Sequence, residues 1–471
     1  MTLTHILVFG VLSLSIGWLR DRRWRGYLIL CASVLAVYWL QPDTPIRNLD
    51  FWLPTAALAL GVLVWAITRD KGNGWLGEAL LIAALVCGVA VLRYLGPACC
   101  LTATRPPAFA LVLGMMLPTA GLTWLALRSS RKRIWVWVLL ILLITIFLIL
   151  KTDAFAQLAS AGLRRLGGQD ASLASSLDLR WLGYSYLAFR LIHVLRDRQL
   201  GKAHDFTLVE FTSYVLFFPA LTAGPIDRSQ RFVADLRTGT RLEPGSLYEG
   251  GVRLLAGVFK KFVIADSLAI FALNPISAIQ TSSGLWAWVL LYAYALRIYF
   301  DFSGYTDIAL GLGRWLGVRL PENFTAPYLK TNLTAFWNSW HITLAQWFRA
   351  YFFNPVTRSM RSSQAHLPVW FIILVGQAGT MLLIGLWHGL TWNFAIWGLW
   401  HAFGLFIHNR WSSWIQKRPQ QGKPPSRLEA ALSFSGWILT FHYVTLGWVW
   451  FALPDTQVAL AMFQKLLGIN P

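Results

Sequence analysis

Thirteen apolar runs take up most of this chain, at about 4–18, 26–40, 51–67, 75–95, 107–127, 135–150, 179–195, 206–225, 252–273, 284–300, 368–387, 390–408 and 433–453. Most approach the ~20 residues that a helix needs to cross a hydrocarbon layer about 30 Å thick. The sequence therefore predicts an all-α, polytopic integral membrane protein with about 11–13 membrane helices. Only 13% of the 471 residues are charged and 56% are hydrophobic, whereas a soluble domain carries roughly 25% charged residues. The chain reads as one membrane-embedded domain over 1–471. Within it, N-terminal spans fill 1–177, a core occupies 178–410, and a loop and last span complete 411–471.

The net charge of +20 does not indicate nucleic acid. The basic residues fall in short clusters between apolar runs, as in Arg20-Asp21-Arg22-Arg23-Trp24-Arg25, Arg69-Asp70-Lys71, Arg128 to Arg133 and Arg196-Asp197-Arg198. That is the signature of cytoplasmic loops, which also rest against anionic lipid headgroups. The 26 tryptophans fit interfacial belts. The first apolar run has no basic segment before it, so it reads as a span entering with its N-terminus outside rather than as a cleaved signal. Alternation then places the loops 41–50, 96–106 and 151–177 outside, and the basic loop 409–427 inside. Cys31, Cys87, Cys99 and Cys100 have no metal-ligand or disulfide spacing, and no metal is expected.

The alternation breaks at 206–225, which is followed by Arg228, Arg231, Arg237 and Arg241. Phe218-Pro219-Ala220-Leu221-Thr222-Ala223-Gly224-Pro225 is rich in helix breakers, and a re-entrant element that does not fully cross restores the pattern. The region 301–360 is also unlike a standard span. It puts Asp301 and Asp307 into an aromatic context, where carboxylates acquire partners or stay protonated. These two are read as packing or ion-paired carboxylates. Arg190 and His193 are read as members of structural ion pairs. Trp337, Trp340, Leu344 and Trp347 recur at helical spacing, which predicts an amphipathic helix in the interface with Asn338 and His341 on another face.

His388, in Leu386-Trp387-His388-Gly389, closes an apolar run, and an ionisable residue at that depth is a functional candidate. His388 and His341 in such surroundings suggest proton-transfer chemistry inside a bilayer, which needs a base, donors for any oxyanion that forms and a route for the substrates. A neutral histidine suits the first requirement, which makes His388 the candidate base. Asn338 and His341 are candidates for polarising a carbonyl or positioning an acceptor. Asp301, Trp337, Trp387 and Arg349 are candidates for substrate binding. No Gly-x-Ser-x-Gly elbow surrounds Ser303, so a serine nucleophile is not expected there.

Four blocks resemble the membrane-bound O-acyltransferase family: Trp181 to Arg190, Ala223 to Arg228, Phe300 through Arg349, and Leu386-Trp387-His388-Gly389. They are closest to its bacterial branch, which includes teichoic acid D-alanyl transfer and alginate O-acetylation proteins. Gly224-Pro225-Ile226-Asp227-Arg228 and Ser185 to Arg190 look more like the D-alanyl type. Phe352-Phe353-Asn354-Pro355 departs from the alginate type. The resemblance implies re-entrant and interfacial helices around a central tunnel that joins the two membrane faces, with the buried histidine acting from that tunnel. It implies a cytoplasmic thioester donor, either a phosphopantetheinyl carrier protein or acetyl-CoA, and no permanently bound cofactor. It also implies a surface polysaccharide or teichoic acid acceptor, a periplasmic or extracellular acyltransferase partner, and a home in the cytoplasmic (inner) membrane. The alternative is a transporter or flippase for an envelope precursor, against which no inverted hydropathy repeat is visible. A polysaccharide synthase or scaffold lacks a soluble catalytic insert here.

Overall fold

The computed structural model describes residues 1–19, 21–69, 74–96, 101–202, 205–238, 242–364, 366–417 and 426–469. Cys99-Cys100, Arg20, Asp70, Lys71, Arg241 and the stretch 418–425 of the basic C-terminal loop lie outside the described residues. Helices carry the fold, and among the described residues β-structure is limited to one isolated bridge between Phe324 and Trp340. Among the described residues five helices are long and apolar enough to cross a membrane: Leu49–Thr68, Trp75–Tyr94, Phe109–Arg128, Lys132–Lys151 and Val369–His388. Leu3–Gly17 is apolar and shorter. Trp392–Gln416 and Ser426–Ala452 cover the last two apolar runs. The chain is a membrane protein, and its helices follow the apolar runs.

The chain divides into two compact units. One comprises Met1–Leu254 with Asp307–Pro321, and the other Leu255–Thr306 with Glu322–Pro471.

In the first unit, the 206–225 run is broken as expected. A helix spans Leu208–Leu216, nine residues, and a single 3₁₀ turn follows at Phe218–Ala220. Nine residues rise only about 14 Å, under half of a ~30 Å hydrocarbon core. All its residues but Glu210 are buried, so the carbonyls at its end must be satisfied by protein. Arg190 does this. It donates to Val215 O and Ala220 O, both at 2.8 Å, and to Tyr214 O at 3.3 Å. The expected ion pairing therefore holds for His193, whose Nε2 lies 3.2 Å from Asp197. Arg190, which also acts electrostatically on Asp227, gathers a helix end as well, because a broken helix leaves acceptors that a guanidinium fork can reach.

The 151–177 loop contains a helix, Asp153–Leu166. Asp178 pins it by accepting from Ser160 Oγ at 2.6 Å and from Arg164 Nε at 2.9 Å. Burial raises the Asp178 carboxyl, but these donors outweigh it and hold the group below its ordinary range.

The Asp301 and Asp307 motif does not interrupt its helix. Gly284–Trp315 is continuous for 32 residues, about 48 Å. The charges are tolerated because each has a cation: Lys261 pairs with Asp301 in the second unit, and Arg253 with Asp307 at 2.5 Å in the first. Lys261 sits in a π-helical stretch, Phe259–Ala265. Insertions of that kind re-aim side chains at functional or strained positions.

In the second unit, Val369–His388 and Trp392–Gln416 form a tight hairpin. A Cβ on Gly385 would fall 2.2 Å from Phe394 O, and one on Gly398 would fall 2.5 Å from Met381 O. Such close backbone approach is how membrane helices gain packing without a hydrophobic drive.

Replacing Arg190 by Met is expected to destabilise the protein by about 3 kcal/mol or more, since several buried carbonyls lose their donor. Unfolding in detergent followed by tryptophan fluorescence measures it. An unchanged midpoint contradicts the assignment of Arg190 as the partner of the broken helix.

Candidate active site

All seven residues singled out as site candidates lie in the second unit. The structure places five of them in two adjoining cavities and leaves Asp301 and Trp387 outside both linings, Trp387 packing against the rings of His341 and His388.

The expected continuous helix over 336–347 is not formed. Leu333–Trp337 ends at Asn338, and a second helix starts at Ile342–Phe348. Between them His341 adopts a left-handed backbone, φ 43° and ψ 53°, a conformation costing a residue with a Cβ about 1–2 kcal/mol. Neighbouring chain holds it there. Ile342 N donates to Asn323 O at 3.0 Å, and Thr343 Oγ1 to Asn323 Oδ1 at 2.6 Å. Thr325 N donates to Ser339 O at 3.1 Å. Helical spacing was overridden because Asn323, fully buried, offers the turn better hydrogen bonds than the helix would. Strain of this kind persists only where the surroundings over-determine it, and it concentrates at functional sites.

The break aims His341 inward. Its side chain is buried, and among the described residues neither ring nitrogen has a hydrogen-bond partner. Its ring lies edge-on to Phe302 at 4.7 Å and to Trp387 at 6.2 Å. His388, the last residue of Val369–His388, packs against Trp387 at 4.5 Å, Phe451 at 4.7 Å and Trp397 at 5.6 Å. The two histidines line one cavity of about 40 Å³, otherwise walled by aromatic and aliphatic side chains. That is room for a water or two, or for a small reacting group.

A second cavity, of about 280 Å³, holds Asn338, Arg349, Gln377 and Thr380. Arg349 donates to Asn338 Oδ1 at 2.9 Å from the start of a second π-helical stretch, Arg349–Phe353. Trp337 and Ile384 line both cavities and so form the wall between them. Asn338 therefore lies with Arg349, while His341 lies with His388. Asp301 lines neither cavity. Its carboxylate, half exposed, is paired with Lys261.

Reading the sequence missed His401. It is fully buried, with both ring nitrogens unpartnered. It lies 5.1 Å from Trp337 and 4.9 Å from Trp397, whose indole nitrogens are also unpartnered. Its signal was available: an ionisable residue inside the 390–408 apolar run. Asn393 was missed too. It fixes the far end of the hairpin by donating to Leu453 O and accepting from Thr456 Oγ1, both at 2.6 Å. Among the described residues no cluster of histidine, cysteine and carboxylate side chains is placed to hold a metal.

Chemically, the small cavity offers imidazoles able to accept and return a proton with little water present. The larger one offers a cation and two amides, suited to a ligand bearing carbonyls or phosphate.

The chain belongs to the membrane-bound O-acyltransferase family, whose model matches residues 114–446. A Pseudomonas putida protein named "Probable alginate O-acetylase AlgI" is 34% identical over 471 residues, covering 99% of this chain and 80% of that protein. Its Pseudomonas aeruginosa namesake is 34% identical over 290 residues, 61% of this chain and 52% of its own length. A Bacillus subtilis teichoic acid D-alanyltransferase is 31% identical over 277 residues, 58% of this chain and 69% of its own. The match thus spans about half the length of some relatives and four fifths of others.

His341→Gly relieves the left-handed strain, whereas a β-branched residue aggravates it. His341→Val is expected to unfold more readily than His341→Gly by about 1–2 kcal/mol, read from thermal unfolding in detergent. Equal stability of the two variants counts against the left-handed turn.

Proposed function

We propose that this protein is an O-acyltransferase of the cytoplasmic membrane. It moves an acyl group from a cytoplasmic thioester to a hydroxyl of a cell-surface polymer or other extracytoplasmic acceptor. The observation that carries this reading is the shared His341–His388 cavity, enclosed by aromatic rings and divided by Trp337 and Ile384 from the Asn338–Arg349 cavity.

An imidazole nitrogen of His388 takes the proton of the acceptor hydroxyl as its oxygen attacks the thioester carbonyl. The tetrahedral intermediate collapses with cleavage of the carbon–sulfur bond, and the imidazolium returns the proton to the departing thiolate. The histidine is thereby regenerated. His341, across the same cavity, positions the acceptor or polarises the carbonyl. Exclusion of water from so small a cavity protects the thioester from hydrolysis. The larger cavity suits the pantetheine arm of the donor, whose amide groups match Asn338 and Gln377 and whose phosphate matches Arg349.

The acyl group is acetyl or D-alanyl. Relatives matched along 99% of this chain carry alginate O-acetylase names, which favours acetyl-CoA as donor. The teichoic acid match, over 58% of the chain, keeps a D-alanyl carrier protein as the second reading. Handing the group on through a periplasmic acyltransferase partner is compatible with either.

Replacing His388 by Ala is expected to lower acyl transfer by roughly 10²–10⁴-fold, the usual contribution of a general base, without loss of folding. Transfer from a radiolabelled thioester is measured in nanodiscs, with tryptophan fluorescence as the folding control. Near-normal turnover in a folded variant moves the chemistry away from this cavity and favours transport.

A further inference from the structure

In the first unit, a cavity of about 490 Å³ is lined by Arg47, Asn48, Arg93, Thr104 and Arg105 among others. It is formed where the 41–50 segment meets the 101–106 segment and the 3₁₀ turn Leu92–Tyr94. Charge alternation along the chain puts the 41–50 and 96–106 loops on the extracytoplasmic side. Lysine and arginine are normally scarce in such loops, so three arginines around one concavity call for a reason.

The arginines are not neutralised locally. Among the described residues none of the three forms an ion pair with a carboxylate. Arg93 Nη1 donates to Pro106 O at 2.5 Å, and Arg105 donates to Arg93 O from Nε at 3.3 Å and from Nη2 at 3.1 Å. Backbone carbonyls therefore orient two guanidiniums while leaving their charge uncompensated. Among the described residues the exposed side chain of Arg47 makes no hydrogen bond, and its backbone N–H is engaged by Gln169 Oε1 at 2.8 Å. Asp50, on the helix that follows Asn48, is buried and turned to Thr104, accepting from its N–H at 2.6 Å and its hydroxyl at 2.7 Å. Asn48 takes a left-handed backbone, φ 60°, and ties the two segments by donating to Arg105 O at 2.6 Å. The cradle is thus built and pre-oriented, and its charge is available to a ligand.

We propose that this cavity binds an anionic extracytoplasmic polymer through its carboxylates or phosphodiesters. Guanidinium forks match both groups bidentately. Three of them in one cavity suit successive anionic units. The lining has no aromatic or long exposed aliphatic side chain to hold a lipid tail. The inference rests on the acyltransferase reading only in making that polymer the acceptor; the binding itself needs no turnover.

The test therefore uses the full chain carrying His388→Ala in phosphatidylcholine nanodiscs. The probes are fluorescent oligogalacturonate and polyglycerol phosphate, with neutral dextran as the comparison. At least one polyanion is expected to bind saturably and more tightly than dextran. Arg47→Gln with Arg105→Gln is expected to weaken that binding about tenfold, the loss of charge-assisted hydrogen bonds. Arg131→Gln with Arg133→Gln, which removes the same charge elsewhere, is expected to leave it unchanged. If Arg105→Gln impairs folding, Arg47→Gln alone carries the test, with weakening of the same sign. Polyanion binding no tighter than dextran, or equal weakening by the two variant pairs, overturns the proposal. So does loss of co-purifying phosphatidylglycerol from the Arg47/Arg105 variant with polymer binding intact, since the site then belongs to a lipid headgroup.

Discussion

Polar groups carried among apolar helices must find their partners within the protein, and the architecture is largely a set of answers to that requirement. Arg190 collects the carbonyls of a helix that stops after nine residues. Lys261 and Arg253 each meet a carboxylate on the long helix Gly284–Trp315, so that helix can continue through two charges. Asn393 ties a hairpin to the chain after Ser426–Ala452. Against this background, the groups left unpartnered stand out. Among the described residues the buried ring nitrogens of Trp337, His341, Trp397 and His401 have no partner, and all four residues contact one another or the two adjoining cavities. Stability alone gives no reason to keep such groups; a bound substrate or water does.

In the proposed reaction, the division between the two cavities separates the reacting groups from the donor's arm. A site that must hold a thioester without hydrolysing it benefits from a small reacting chamber and a larger antechamber for the donor's polar arm. Trp337 and Ile384 separate the two here. His401 and Trp397 pack on Trp337 and fix that wall. The strained turn at His341 is held by Asn323, so a residue outside both cavities sets the position of one of the two histidines.

Much of this was legible in the residues. Apolar length and flanking charge located the helices. The Pro219 and Gly224 breakers located the interrupted element. The rarity of ionisable groups at the end of an apolar run singled out His388, and the polar, aromatic segment 336–341 supplied His341 as its companion. What remained hidden depended on long-range hydrogen bonds that no local pattern encodes. Helical spacing from Trp337 to Trp347 pointed to one helix, whereas Asn323, distant in sequence, bends the chain at His341. The π-helical stretches that carry Lys261 and Arg349 have no compositional mark. His401 carried the same signal as His388 but lacked the neighbouring motif that drew attention to the latter. Asn338 and His341, three residues apart, seemed to share a face; the break between them sends each to a different cavity.

The central claim is that His341 and His388 act as one unit in one cavity. A double-mutant cycle on acyl transfer, with His341→Ala, His388→Ala and the double variant assayed under single-turnover conditions, tests it most directly. Residues of one catalytic unit are grossly non-additive, so the double variant should be scarcely slower than His388→Ala, with a coupling of about tenfold or more. Losses that add to within about 0.5 kcal/mol, as for independent sites, would contradict it.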